Sequence, residues 1–289
     1  MIYIILGDIM NFKTTVKRLY KANSLITIIS TLLLILSLVM SFDEINGYFE
    51  GGILPALFWI SFVLGIALSV ASVLLMPQKE IIKTDVSLGK AKNTYIALAA
   101  ILAIEAIVFN LFSTSKYFTI AIAGICFFVL FIALCVASGY KYSHIKILTL
   151  LLSALFPVLI NMENGLVMNR HSNSVENLLT SIFAISFLMY LLYEGKLLFT
   201  GEHSKWHFAS MLLASHTGLT LSVSYFMAYG FAAVDERSRL YQITLILIIS
   251  LFIKTELVRF TTQAESHTKE DWDGIEAPEQ ETTEEETAQ

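Results

Sequence analysis

The stretch TYIALAAILAIEAIVFNLF, residues Thr94–Phe112, decides the class of protein to which this chain belongs. Its length suits one helix across the apolar core of a bilayer, which takes about 20 residues. Its single acidic or basic side chain is Glu105, about 16 Å from the start of the helix and therefore close to mid-membrane. A charged side chain at that depth costs about 2.5–3.5 kcal/mol on insertion scales. Glu105 is therefore the first candidate functional residue.

The composition of the whole chain also indicates a membrane protein. Hydrophobic residues make up 56% of the 289 residues, charged residues make up 15%, and the mean hydropathy is +0.69. A soluble domain usually carries about 25% charge, so a water-soluble globule is excluded. With 19 Lys and Arg residues in all, the chain does not resemble a nucleic-acid binder. Cys126 and Cys135 lie in one apolar run, which indicates neither a disulfide nor a metal site.

Seven further apolar runs flank the first stretch, and together they predict an all-α bundle of eight transmembrane helices. Span 5 is short and holds Pro157, which should kink it. Span 8 reaches full length only if Lys254 extends its ammonium group to the interface. The predicted spans 1 to 8 are Ser24–Phe42, Ile53–Met76, Thr94–Phe112, Phe118–Ser138, Ile145–Ile160, Leu178–Phe199, His207–Gly230 and Leu240–Val258.

Lys and Arg residues set the predicted orientation. They concentrate before span 1 and in the loops that follow spans 2, 4 and 6, whereas the loop after span 1 has none. Basic loops stay in the cytoplasm, so both termini are predicted to be cytoplasmic. Aromatic residues at the ends of the runs, Tyr95 and Tyr140 among them, are typical of an interfacial belt. We expect a multi-pass protein of the plasma membrane, and the Ile- and Lys-rich composition favours a bacterial source.

The two ends of the chain are predicted to lie outside the membrane domain, residues 24–260. Residues 1–23 form a basic cytoplasmic lead-in, and Met10 is interpreted as the physiological start, which would make residues 1–9 a mis-annotated extension. Residues 261–289 contain ten acids and one base, Lys269, and predict a disordered acidic tail. Two interpretations of the tail stay open: a solvated segment, or a docking motif for a cytoplasmic partner.

Span 7, HFASMLLASHTGLTLSVSYFMAYG, holds the second polar feature. His216 is about 15 Å deep, and Ser210, Thr217, Thr220 and Ser224 lie on the same side of the helix. A Glu105–His216 pair at this common depth could carry a proton or bind a cation. The alternative interpretation is that these polar residues of span 7 only hold helices together, because Ser, Thr and His often form hydrogen bonds between helices in a membrane. The predicted solute- or ion-binding residues are Glu105, Asn110, His216, Thr217, Thr220 and Ser224.

Span 3 is expected to be central in the bundle because two of its faces suit contact with other helices or with a cavity. Ala99, Ala103 and Ala106 form a stripe with Asn110 that suits close helix packing, and Glu105 lies about 130° from that stripe. By contrast, the charged residues near the cytoplasmic ends of spans 6 and 8 are predicted to be interfacial. These residues are Glu194, Lys196, Lys254, Glu256 and Arg259.

The sequence contains none of the motifs that carry hydrolase, nucleotide or metal chemistry. We therefore expect no enzyme activity, no cofactor and no metal, and the lipid bilayer as the main partner. The favoured function is a transporter of a small solute or ion, with proton coupling as one option. The alternative is a non-catalytic membrane sensor or assembly subunit whose acidic tail recruits a partner. Neither the solute nor the oligomeric state can be predicted.

Overall fold

The computed structural model describes residues 12–43, 48–76, 82–83, 87–112, 116–166, 174–231 and 237–273, and these are almost entirely helical. The predicted all-α class is thereby confirmed. The helices are α1 (Phe12–Met40), α2 (Ile53–Leu75), α3 (Lys92–Phe112), α4 (Lys116–Ser138), α5 (His144–Ser153), α6 (Leu155–Leu166), α7 (Ser174–Thr200), α8 (Lys205–Phe231) and α9 (Arg237–Asp273). A 3₁₀ turn, Gly89–Ala91, precedes α3.

Two very short antiparallel strand pairs complete the described structure. β1 (Phe42–Asp43) pairs with β2 (Tyr48–Phe49) between α1 and α2. β3 (Ile82–Lys83) pairs with β4 (Glu202–His203). The second pair ties the segment before α3 to the turn between α7 and α8.

Five helical segments in the described part of the chain are long and apolar enough to cross a membrane. They correspond to predicted spans 1, 2, 4, 5 and 6, and they support the assignment to a membrane protein. The total of eight spans and the cytoplasmic placement of both termini stay predictions. The five segments are Thr14–Met40, Ile53–Leu75, Thr119–Ser138, His144–Met162 and Val175–Thr200.

The predicted kink in span 5 is a break between two helices. α5 ends at Ser153 and α6 begins at Leu155. The cause is Pro157, whose ring would clash with the carbonyl of Ser153 four residues earlier in a continuous helix. Pro157 instead lies in the first turn of α6, where its missing N–H costs little.

Helix α8 is the central helix of the bundle, and the expectation that span 3 is central is wrong. α8 packs against α1, α2, α7 and α9, whereas the main neighbours of α3 are α4 and α9. One side of α3 is open, with Ile104 60% exposed and Ile107 63% exposed. These large apolar side chains suit a lipid-facing surface better than a bundle interior. The small residues of α3 therefore pack at the edge of the bundle.

Helix α9 continues well beyond the predicted end of span 8. It remains helical to Asp273, so residues 261–273 differ from the predicted disordered tail. Packing accounts for the first part of this extension, because Phe260 and Ala264 are buried and the Phe260 ring stacks on Phe208 of α8. The rest of the tail, residues 274–289, and the predicted start at Met10 lie outside the described residues. Lys254 turns toward α1, where its ammonium group donates to Ser24 Oγ at 2.7 Å.

Candidate functional site

His216 lies fully buried where α8 meets α1 and α2. Its Nε2 atom is 3.1 Å from the carbonyl oxygen of Phe62 on α2, to which it can only donate. Its Nδ1 atom is 2.9 Å from Oγ1 of Thr27 on α1, and its ring stacks on Phe62 at 5.3 Å. A Cβ added at Gly65 would overlap the imidazole, so glycine is required there. Both ring nitrogens of His216 thus bond neighbouring helices.

The other polar groups predicted on span 7 mostly bond backbone carbonyls. Thr217 Oγ1 donates to the Leu213 carbonyl at 2.9 Å. Ser224 Oγ donates across the interface to the Thr31 carbonyl of α1 at 3.2 Å. Thr220 is buried, and its hydroxyl has no hydrogen-bond partner in the described part of the chain. This pattern is typical of polar groups that join membrane helices.

The structure does not bring Glu105 and His216 together. Glu105 is half-buried on α3, which packs on α4 and α9, whereas the partners of His216 lie on α1 and α2. Glu105 and His216 lie at similar depths, but α3 and α8 are not close neighbours, so the two side chains are not in contact. Asn110 is exposed near the end of α3. Whether these residues bind a solute stays a prediction.

A larger set of buried ionisable and polar groups lies at the end of the bundle that is predicted to be cytoplasmic. The ends of α4 and α7 and the middle of α9 meet the first turns of α3 and α8 there. We call this set the inner cluster. Its members are Tyr95, Cys135, Tyr140, Tyr190, Glu194, His203, His207, Glu256, Arg259 and Gln263.

One part of the inner cluster is a chain of hydrogen bonds that ends on a buried carboxyl group. Glu194 Oε2 lies 2.9 Å from Nε2 of His207. His207 Nδ1 lies 3.0 Å from Nδ1 of His203, and His203 Nε2 lies 3.1 Å from Oε1 of Gln263. The chain therefore connects the turn between α7 and α8 with Glu194, whose side chain is 0% exposed.

Two protonation patterns satisfy this chain, and they differ by one proton. In the first, neutral His207 donates from Nε2 to Glu194 and accepts at Nδ1 from His203, whose Nε2 then needs a donor. Rotating the amide of Gln263 by 180° would supply that donor. In the second, His207 is an imidazolium that donates to both neighbours, and His203 donates to Oε1 of Gln263. The chain can thus gain or lose a proton without losing a hydrogen bond.

The other part of the inner cluster surrounds Glu256 on α9. Its Oε1 atom accepts hydrogen bonds from the hydroxyl groups of Tyr95 and, at 2.6 Å, of Tyr140. Its Oε2 atom lies 3.7 Å from Nε of Arg259, a distance that is too long for a hydrogen bond. The guanidinium group of Arg259 lies over the Tyr140 ring at 4.1 Å.

Several polar atoms of the inner cluster have no hydrogen-bond partner among the described residues. They include all three guanidinium nitrogens of Arg259, Oε1 of Glu194 and Oε2 of Glu256. Buried polar groups in proteins nearly always have a partner, and a buried charge without one is costly. The inner cluster therefore offers both donors and acceptors to water or to a ligand.

The groups of the cluster that lie between the predicted spans have perturbed acidities. Burial lowers the pKa of His203 well below its ordinary value of 6.5, and electrostatic interactions with His207 and Arg259 lower it further. Burial raises the pKa of the Tyr140 phenol well above its usual range, with a further contribution from Glu194. At neutral pH His203 is therefore an uncharged ring and Tyr140 a hydrogen-bond donor.

Neighbouring helices bury Glu194, Glu256 and Arg259, whose exposed fractions are 0%, 1% and 8%. That they lie at the depth of the membrane interface stays a prediction. One local signal was present in the sequence: two titratable rings, His203 and His207, lie four residues apart at the start of predicted span 7.

Among the described residues, no group of three or more His, Cys, Asp and Glu side chains has a geometry that could hold a metal ion. No model of a protein family matches this chain, and no curated protein or solved structure gives a significant match either.

Proposed function

We propose that this chain is a transporter that moves a small solute across the membrane together with protons. The observation that carries the proposal is the hydrogen-bonded chain Glu194–His207–His203. Ionisable groups buried in a membrane bundle are costly and commonly mark proton or ion pathways. Here three such groups form a continuous chain rather than isolated contacts.

The chemistry of these groups suits proton coupling. Imidazole is the side chain whose charge changes close to neutral pH, and small environmental shifts move its pKa across that range. A proton that enters at His203 can pass to His207 and shift the charge balance at Glu194, since the chain is satisfied both with and without the extra proton. Oε1 of Glu194, which makes no ordinary hydrogen bond to a described residue, then presents that change to the rest of the inner cluster.

The position of α8 supplies a mechanical route for the coupling. α8 carries His207 and packs against α1, α2, α7 and α9. A change in the Glu194–His207 contact acts on the α7–α8 interface directly. Because α8 packs against four other helices, its displacement would alter the packing of about half the bundle. Transport by alternating access requires a rearrangement of this kind.

The test is proton movement in proteoliposomes that contain the purified full chain and a pH-sensitive dye. Glycine, lactate, acetate, phosphate, choline and Na⁺ are added outside one at a time. We expect at least one of them to produce a pH change that Glu194→Gln and His207→Gln abolish. Glu202→Gln is the matched control. Glu202 is a half-buried acid beside His203, but it is not a member of the hydrogen-bonded series Glu194–His207–His203. The same pH change in Glu194→Gln, or no change with any solute, would contradict the proposal.

The alternative function, recruitment of a partner by the acidic end of the chain, has one supporting observation. Residues 261–289 carry ten acids and one base. A truncation that tests it should begin at Gly274, because Phe260 and Ala264 pack in the bundle and Gln263 contacts His203. Loss of a binding partner together with unchanged solute movement would favour recruitment.

A further inference from the structure

We propose that Arg259 binds the carboxylate of the transported solute, and that the solute is a small organic acid with an amino or hydroxyl donor close to its carboxylate. The inference rests on the proposed function and specifies its substrate class. It follows from the groups in the inner cluster that have no hydrogen-bond partner in the described ranges of the chain.

The first observation is the guanidinium group of Arg259, which is buried without an acceptor. None of its three nitrogens makes a hydrogen bond to a described residue, and the residue is 8% exposed. A guanidinium group presents five N–H donors in a rigid planar fork that matches a carboxylate. In a water-poor site that fork requires an acceptor, and a carboxylate supplies two oxygen atoms and the opposite charge.

The second observation is that Glu256 is not available as that acceptor. Its Oε1 atom is held by the hydroxyl groups of Tyr95 and Tyr140, and its Oε2 atom remains 3.7 Å from Arg259 Nε. The two tyrosines thus keep the carboxyl group close enough to balance charge but too far to occupy the fork. The Tyr140 ring covers one face of the guanidinium group, so a ligand has to approach along its edge.

The third observation is the acceptor on the other side of the cluster. Arg259 interacts electrostatically with Glu194. Glu194 Oε1 makes no hydrogen bond of ordinary length among the described residues, and the Tyr190 hydroxyl, which lies close to Glu194, makes none either. A simple monocarboxylate would satisfy Arg259 and leave Glu194 unsatisfied. An amino or hydroxyl group beside the carboxylate would supply the missing donor. The ligand would also touch the carboxyl group that ends the proton chain, which would link binding to protonation.

The test measures binding of defined acids to the full chain in lipid nanodiscs by calorimetry. Lactate and glycine carry both groups, acetate lacks the donor, and ethanolamine lacks the carboxylate. We expect lactate or glycine to bind, acetate to bind at least tenfold more weakly, since it lacks one hydrogen bond to a charged group, and ethanolamine not to bind. Arg259→Lys and Arg259→Gln should each lower the affinity at least tenfold.

Lys254→Gln is the matched control, because Lys254 is another partly buried cation of α9 but contacts Ser24 and Tyr20 of α1. It should bind the acids like the parent chain. A second measurement needs no substitution: phenylglyoxal labelling of arginines in the parent chain, mapped by peptide mass spectrometry. Lactate or glycine should protect Arg259, and ethanolamine should not.

Three outcomes would overturn the inference: no binding of any acid, equal binding by the Arg259 variants, or labelling of Arg259 that the acids leave unchanged. In each case water alone would satisfy the cluster. Failure of the proposed function is distinguishable. If lactate or glycine binds through Arg259 but Glu194→Gln still moves protons, the site stands and the proton mechanism fails. If only choline or Na⁺ drives Glu194-dependent proton movement, the function stands and this site is overturned.

Discussion

His207 Nε2 lies 2.9 Å from Glu194 Oε2, and neither side chain is more than 1% exposed. The turn between α7 and α8 produces this contact. Gly201 ends α7 with φ of 67°, a left-handed conformation that favours glycine, and its N–H donates to the Leu197 carbonyl at 2.8 Å. The chain then reverses within a few residues, so the last turns of α7 face the first turns of α8.

Removal of the Glu194 carboxyl group should destabilise the protein more than its neutralisation does. Glu194→Ala leaves His207 buried without its partner, and loss of one member of a buried pair costs about 3–5 kcal/mol. Glu194→Gln keeps an acceptor for His207 Nε2 and should cost less. Thermal denaturation in detergent, followed by circular dichroism, measures both variants.

The control for this comparison is Glu202→Ala, which removes a half-buried acid outside the hydrogen-bonded chain. Its melting temperature should stay close to that of the parent. Equal melting temperatures for Glu194→Ala and Glu202→Ala would show that the His207–Glu194 contact adds nothing to stability.

Acidification should destabilise the fold through His203. Its folded-state pKa is lowered well below 6.5, chiefly by burial, so below about pH 6.5 the unfolded chain binds a proton that the folded chain does not. The free energy of unfolding is therefore highest above that pH, where His203 is uncharged in both states, and it decreases as the pH falls. Melting temperatures should drop between about pH 7.5 and 5.5. His203→Gln should flatten the dependence, and an unchanged slope would contradict this account.

The helices themselves could largely be predicted from the sequence because long apolar runs are sufficient to form them. Predicted span 6, Leu178–Phe199, lies within α7, Ser174–Thr200. Predicted span 2, Ile53–Met76, ends one residue beyond α2. The break in span 5 was also predictable, since its cause is the local chemistry of Pro157.

The neighbours of each helix could not be predicted, and the candidate site depends on them. The depth of Glu105 and His216 follows from counting residues along one helix, but their separation depends on which helices are adjacent. The burial of the Glu256 carboxyl group could not be predicted, because its tyrosine partner Tyr95 is 161 positions away in the sequence. The number of charged groups near the helix ends was visible in the sequence, whereas the helices that cover them were not.

Gly65→Ala should destabilise the junction of α1, α2 and α8. The added methyl group would overlap the His216 ring, which is held by Thr27 and Phe62 and cannot move away. Overpacking of this kind costs about 1–3 kcal/mol. Gly51→Ala is the control, because a Cβ there meets nothing within 4 Å.

A double-mutant cycle identifies the cause. Gly65→Ala combined with His216→Ala should be less destabilising than the sum of the two single changes, since the clash requires both groups. Melting temperatures of the four proteins give the coupling. Strict additivity would show that the cost at Gly65 comes from something other than His216.

Glu105→Leu should not lower stability, even though the sequence makes Glu105 the first candidate functional residue. The side chain is half-buried on α3, and no described residue forms a hydrogen bond or an ion pair with it. Its neighbours along the helix, Ile101 and Ile104, are largely exposed, as expected for a surface that faces lipid. A carboxyl group at such a boundary costs free energy that leucine avoids.

The melting temperature of Glu105→Leu should therefore equal or exceed that of the parent, and its solute-driven proton movement should be unchanged. Glu105→Gln separates charge from shape in the same assay. If Glu105→Leu and Glu105→Gln are both fully stable but lose proton movement, Glu105 is part of the functional site and the proton pathway runs along α3. Loss of stability in Glu105→Leu alone would instead indicate a polar partner for this carboxyl group, such as a second copy of the chain packed against α3.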